Sequence, residues 1–407
     1  MPFHGPHAPP KDVPLEPIRP QLLTPTFLVV GLATLAYFVA DGMLLPAVPL
    51  YVEGPLGGGS VAVGVVVGAF SLSALLLRPW AGRLSDRRGR RLLMVAGAGV
   101  FAFSVLGYQL ANSIVAMILM RALTGAGEAL FFVGAASAIS DLAPDERRGE
   151  ALSFFSLALY AGIGVGPILG EATIDGADFS LVWMVAAGIG MVAVLFGLPV
   201  PDTRPEWSAA PGPNRLVHRA AILPGTVLLT VLIGMSGFFA FVPLYVEEIG
   251  LEGSRLVFVT LSVVVILIRS LGAKIPDRMG AARSSRAALA CSAAGLLLAG
   301  AWGHPVGLFA GTIVFGVGVA LATPALMSLA IGTAPPSERG WVIGTFTAFI
   351  DLGFGLGPVV LGVVATRLGY RGTFITGAAV AAAGLMLLLT RGSSERTHSP
   401  GGEGQAG

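Results

Sequence analysis

The chain repeats itself at a constant offset of 191 residues, and both copies are strongly apolar. Arg78, Asp86, Arg87 and Gly89 return as Arg269, Asp277, Arg278 and Gly280. Gly125 and Gly127 return as Gly316 and Gly318, and Pro144, Arg148 and Gly149 as Pro335, Arg339 and Gly340. Gly162, Gly164, Gly166 and Pro167 return as Gly353, Gly355, Gly357 and Pro358. Near the start of each half, Val48-Pro-Leu-Tyr-Val-Glu53 matches Val242-Pro-Leu-Tyr-Val-Glu247, shifted by 194. Chance does not supply such a series in order. The fold must therefore consist of two like units, and duplicated halves in a membrane protein point to a transporter with its site between them.

Membrane residence follows from composition. Charged residues make up 12% and hydrophobic residues 54% of the chain, against about 25% charged in soluble domains. A bilayer crossing takes about 20 apolar residues, and twelve such runs can be read: 24–50, 61–80, 92–110, 113–140, 149–171, 180–200, 221–248, 255–273, 285–302, 305–333, 340–367 and 372–390. The reading is an all-α integral membrane protein of twelve transmembrane helices in two pseudo-symmetric six-helix bundles. The bundles occupy 24–200 and 221–390, joined by a proline-rich cytoplasmic linker at 201–220.

Orientation comes from the basic residues, which stay on the cytoplasmic side. With the N-terminus inside, only Arg255, Arg367 and Arg371 lie outside and Arg78, Arg121 and Arg269 lie in or at spans, leaving 19 of 25 Lys and Arg on cytoplasmic segments. Both termini are then cytoplasmic, and the expected location is the inner (plasma) membrane. The net charge of +2 is a topology signal rather than a sign of nucleic-acid binding. Residues 1–23 read as a cytoplasmic tail without a signal peptide, and 391–407 as a disordered, Gly- and Ser-rich tail. Cys291, the only cysteine, excludes an internal disulfide and a cysteine metal cluster. Hydrolase and ATP-binding motifs are missing, so an enzyme is not expected and neither is a cofactor, the proton gradient serving as energy source.

The turn between the second and third spans reads Gly82-Arg-Leu-Ser-Asp86-Arg87-Arg-Gly89-Arg90-Arg91. Gly82 would permit close helix approach, and Asp86 could accept hydrogen bonds at a helix N-terminus. This pattern resembles the signature loop of the major facilitator superfamily, with the degenerate copy at Gly272 to Gly280 standing where that family has its weaker one. The resemblance spans essentially the whole chain and implies the major facilitator fold, whose two bundles rock about a central cavity. It further implies that Asp86 caps the start of the eleventh helix in the outward-facing state, and that Arg90 pairs with Asp141. Gly82, Asp86, Arg87, Gly89, Arg90, Asp141, Asp277 and Arg278 would form the cytoplasmic gate.

Arg121-Ala-Leu-Thr-Gly125-Ala-Gly127-Glu128 resembles the family's fourth-helix motif, whose arginine is tied to proton coupling. Asp41 lies at a similar depth, and an unpaired charge near the bilayer centre costs at least about 2.5 kcal/mol, so an Asp41–Arg121 pair is expected. Glu128 would share the face of Arg121, and Asp351 stands mid-span where the other half has Tyr160. A carboxyl in an apolar cavity can exchange a proton near neutral pH. Asp41, Glu128 and Asp351 are the candidates, each also readable as a paired group that only holds helices together. Arg78 and Arg269 are placed near the cytoplasm, as gate architecture.

Gly162, Gly164, Gly166, Pro167 and Gly170 resemble the antiporter motif of the family's drug–proton efflux branch, except that Glu171 replaces its final glycine and Ser153 its first. Gly353, Gly355, Gly357, Pro358 and Gly362 repeat the theme. Glycines four apart also serve plain helix packing. With few amides in the spans and Arg121 as the one central cation, sugars and polyanions are disfavoured. Phe131, Phe132, Phe154, Phe155, Phe238, Phe239, Phe346 and Phe349, together with the acids, favour an amphiphilic or cationic organic substrate. The leading expectation is a monomeric, proton-coupled exporter working in the lipid bilayer. The alternatives are a symporter importing a metabolite and a transport-dead sensor or membrane enzyme.

Overall fold

The computed structural model describes residues 22–144, 147–203, 217–271, 279–332, 334–335 and 338–397. Helices dominate, because a backbone in hydrocarbon must satisfy its own N–H and C=O groups. The first half holds α1 (Pro25–Glu53), α2 (Ser60–Arg88), α3 (Arg90–Gly107), α4 (Ile114–Leu142), α5 (Arg148–Ala172) and α6 (Ser180–Gly197). Local signals start them: the Thr24 hydroxyl accepts the Phe27 N–H at 3.2 Å, and the Ser113 hydroxyl accepts that of Ala116 at 3.2 Å.

The second half holds α7 (Arg219–Glu248), α8 (Arg255–Leu271), α9 (Ala281–Ala301) and α10 (Pro305–Gly332). A last helical stretch, Arg339–Thr397, breaks at Gly369, whose φ of 67° and ψ of 179° only glycine adopts without strain. Its apolar part, Trp341–Thr390, has 50 residues, about 75 Å, which is two crossings of a hydrocarbon core about 30 Å thick. The two segments are α11 (339–368) and α12 (370–397). Among the described residues the helical segments thus number six in each half.

Boundaries agree with the expected spans to a few residues, with two departures. α2 runs eight residues past its expected end to Arg88, so the turn before α3 shrinks to Gly89. Helical backbone also continues to Thr397, inside the tail expected to be disordered; residues 398–407 and most of the linker lie outside the described residues.

Among the described residues two hydrophobic cores form, each centred on one half and each taking in a few residues of the other. Tyr37 stacks on Phe131 at 4.1 Å in the first, and Phe238 packs against Phe315 at 5.4 Å in the second. Outward faces stay apolar, with Leu76 exposed to 78% and Phe103 to 75%, as a helix surrounded by lipid requires. The repeated Tyr51 and Tyr245 do the same task in each half: their hydroxyls donate to Ala111 O and Ala299 O, each at 3.2 Å.

The glycine-proline helices hold each half together and join it to the other. On α5, Gly162, Gly166 and Gly170 face α1, where a Cβ at Gly166 would stand 2.5 Å from the Gly42 Cα. Gly164 faces Ser262 of α8, in the other half. On α11, Gly353 and Gly357 face α7, while Gly355 faces Leu72 of α2 across the seam and Gly362 faces Ser60. Pro358 O lies where a Cβ at Gly64 would go. Both seams thus pair a glycine-bearing helix with a helix of the opposite half.

Candidate functional site

Between the halves lies a cavity of about 510 Å³, lined by α1, α2, α4 and α5 on one side and α7, α8, α10 and α11 on the other. Its walls are apolar and aromatic, with Phe38, Phe70, Phe132, Phe155, Phe239 and Phe354. Of the phenylalanines singled out from the sequence, Phe132, Phe155 and Phe239 line it. Phe131, Phe238 and Phe346 are buried in the bundle cores instead.

Among the described residues, six charged side chains face this space: Asp41, Arg78, Arg121, Glu128, Arg269 and Asp351. Arg78 is its hub. Its Nη2 donates to Glu128 Oε1 at 2.9 Å and Oε2 at 3.1 Å, and lies 3.2 Å from Asp351 Oδ1. The guanidinium also sits 4.7 Å over the Phe132 ring. Glu128 and Asp351 are almost fully buried, at 6% and 5% exposure. A helix of the second half is thereby clamped to two of the first. Taking such charges out of water is costly, so they need one another.

This arrangement corrects the placement of Arg78 near the cytoplasm. Because α2 runs on to Arg88, ten residues separate Arg78 from the helix end, about 15 Å. Arg269 likewise lines the cavity, its guanidinium 5.0 Å over the Tyr160 ring. Among the described residues Arg121 is therefore one of three central cations, which removes the ground on which polyanions were disfavoured.

Arg121 and Asp41 share the cavity wall but do not form the expected ion pair: among the described residues, no carboxylate lies within 4.0 Å of Arg121. Its Nη1 points to the Tyr108 hydroxyl at 3.5 Å and its guanidinium covers Phe70 at 4.6 Å. Tyr108 is held in turn by Thr124 at 2.7 Å, and Thr124 by Ser104 at 3.0 Å. The rotation of α4 that buries Gly125 against the Phe70 carbonyl aims Arg121 at this network. Glu128, two turns on, meets Arg78.

At the end where α1 starts and α2 gives way to α3, Arg90 is buried and joins three elements. Its Nη1 lies 2.8 Å from Asp86 Oδ1 and its Nε 3.0 Å from Asp141 Oδ2. Its backbone N–H donates to Asp202 Oδ1 at 3.1 Å, so Asp202, after α6, caps α3. Gly89 has φ 96°, and the Asp202 carboxylate fills the place of its Cβ. Asp86 turns to Arg90 and makes no hydrogen bond to the start of α11 among the described residues. Gly82 does not serve a close approach in this conformation, since nothing lies within 4 Å of where its Cβ would be. Arg87 is exposed, and Asp277 and Arg278 lie outside the described residues.

At the far end the halves are tied. The Tyr370 hydroxyl donates to Glu53 Oε1. Glu171 Oε1 accepts from both the backbone N–H and the hydroxyl of Ser254, each at 2.6 Å, at the start of α8. The residue that replaces the motif's final glycine therefore spans the seam. Its role was missed because nothing local in the sequence brings the end of α5 to the start of α8.

A family model described as the Major Facilitator Superfamily matches residues 30–301 and again 271–406. The chain is 27% identical over 373 residues to an uncharacterized MFS-type transporter of Salmonella typhimurium, STM4428, covering 88% of this chain and 94% of that one. It is 25% identical over 360 residues to the uncharacterized MFS-type transporter YhhS of Escherichia coli, covering 86% and 89%. Among solved structures, the human organic anion transporter MFSD10 superposes with a TM-score of 0.69 at 20% identity, covering 90% of this chain and 100% of that one.

Proposed function

Since this chain belongs to the Major Facilitator Superfamily, and so is a multi-pass membrane transporter and not an enzyme, we propose that it exports small amphiphilic organic compounds by alternating access, driven by the proton gradient. The observation that carries this reading is the Arg78 clamp, in which one guanidinium holds a carboxylate of each half beside an apolar cavity. With both termini in the cytoplasm of a bacterial inner membrane, the ties at the far end make this an inward-facing state. Substrate enters from the cytoplasmic end. A proton taken up by Glu128 or Asp351 removes one charge of the clamp and frees the halves to rock, with Asp41 as a third proton-binding group on the same wall. The gate around Arg90, Asp86 and Asp141 sets the balance of the two states.

The direction rests on the likeness of the α5 glycines to the family's antiporter motif. The substrate class is limited to amphiphiles of the size of the cavity, because three arginines facing three carboxylates leave no net preference for a cation. Flux of an amphiphilic dye into proteoliposomes under an imposed pH gradient tests the reading. Wild type should move the dye opposite to the protons, protonophore should abolish the flux, and Glu128→Gln should lack it. Gradient-driven flux persisting in Glu128→Gln would remove the coupling role from Glu128, and dye moving with the protons would mark a symporter.

A further inference from the structure

The duplication relates Arg78 to Arg269, Glu128 to Val319 and Asp351 to Tyr160, all at the offset of 191. Both arginines reach across the seam to the same repeat position of the opposite half. Arg78 meets Asp351 there at 3.2 Å, whereas Arg269 meets the Tyr160 ring at 5.0 Å. The first arginine has two carboxylate partners, and the second has had both replaced by a valine and a tyrosine. Among the described residues Arg269 forms no ion pair, and its Nε is enclosed without any hydrogen-bond partner. Arg121 also lacks a carboxylate, but it is buried and directed at Tyr108. Arg269 remains partly exposed and lines the cavity.

A guanidinium stays charged and keeps five donors in a planar fork, so its removal from water demands an acceptor. Cation–π contact with Tyr160 meets part of that demand but satisfies no donor. From the geometry we propose that Arg269 is the anchor for an anionic group of the transported compound. The substrate is then an organic anion or zwitterion whose carboxylate takes the place that Asp351 and Glu128 occupy around Arg78. Tyr160 and Phe239 receive its apolar body. A cavity of about 510 Å³ suits a small organic ligand, and fork-to-carboxylate pairing supplies the orientation. This inference rests on reading the cavity as the substrate site.

The test uses three probes with one apolar body: phenylbutyrate, phenylbutyramide and phenylbutyl-trimethylammonium. Binding to the purified full-length protein is measured by quenching of its intrinsic fluorescence, and flux in proteoliposomes is measured separately. Wild type should bind the carboxylate about tenfold or more tighter than the amide, as loss of a charge-assisted hydrogen bond implies. Arg269→Gln should bring that ratio to about one, and Arg269→Lys should keep part of it, a point charge lacking the fork. Tyr160→Asp, which gives Arg269 the counter-ion that Arg78 has, should also collapse the ratio and serves if Arg269→Gln does not fold. A preference for the ammonium probe, or a carboxylate preference surviving in both Arg269→Gln and Tyr160→Asp, would overturn the proposal. Failure of every probe to cross the bilayer, with the binding ratio intact, would refute the proposed export of such amphiphiles and leave Arg269 as an anion site.

Discussion

Arg78 illustrates how one side chain can be required by several others. Replacing it with Gln leaves Glu128 and Asp351 buried without a counter-charge, and breaking a buried pair this way costs about 3–5 kcal/mol. The melting temperature of detergent-solubilised Arg78→Gln should fall well below wild type. Arg78→Gln combined with Asp351→Asn and Glu128→Gln should recover most of that loss, since no uncompensated charge remains, while gradient-driven flux stays absent. Asp202 is a smaller case of the same dependence. Asp202→Ala removes the cap of α3 and the group filling the space at Gly89, a loss of about 1 kcal/mol, visible as lower thermal stability.

For the helices, packing decides which glycines matter. Gly166→Val drives a branched side chain into the backbone of α1 and should abolish stable expression, read as loss of the monodisperse peak on size exclusion. Gly82→Ala meets open space in this conformation and should leave that peak unchanged. Such contrasts also explain what could be read in advance. The spans were legible because the bilayer dictates length and polarity, and the repeat located the glycine helices. The Asp351–Tyr160 asymmetry was equally visible. The end of α2 was not, since hydropathy falls at Arg78 and Trp80 while the helix itself continues through charged residues to Arg88. Nor was the partner of Arg121: equal depth on two helices says nothing about their rotation, which the contact of Gly125 with Phe70 decides. Which helices of opposite halves meet, as α2 and α11 do, is a tertiary fact with no local signal.

Taken together, the two halves are tied at the far end through Glu53 with Tyr370 and Glu171 with Ser254. Glu171→Gly, which restores the motif's glycine, removes the tie to Ser254 and should shift the population away from this conformation. Distance measurements between spin labels on the terminal-side ends of α4 and α10 should then show a larger closed fraction than wild type. Neither backbone can yield where Gly64 meets Pro358 and Gly68 meets Gly355, so α2 and α11 can roll on each other there but not compress. Such a contact can serve as a fulcrum. From Gly68 to the end of α2 at Arg88 runs a stiff arm of about 30 Å. Turning it through roughly 10° sweeps its tip through about 5 Å, given the helix rise. That is the width of a small molecule, so a rotation of this size is enough to open or shut the passage once the clamp between Arg78 and Asp351 is released.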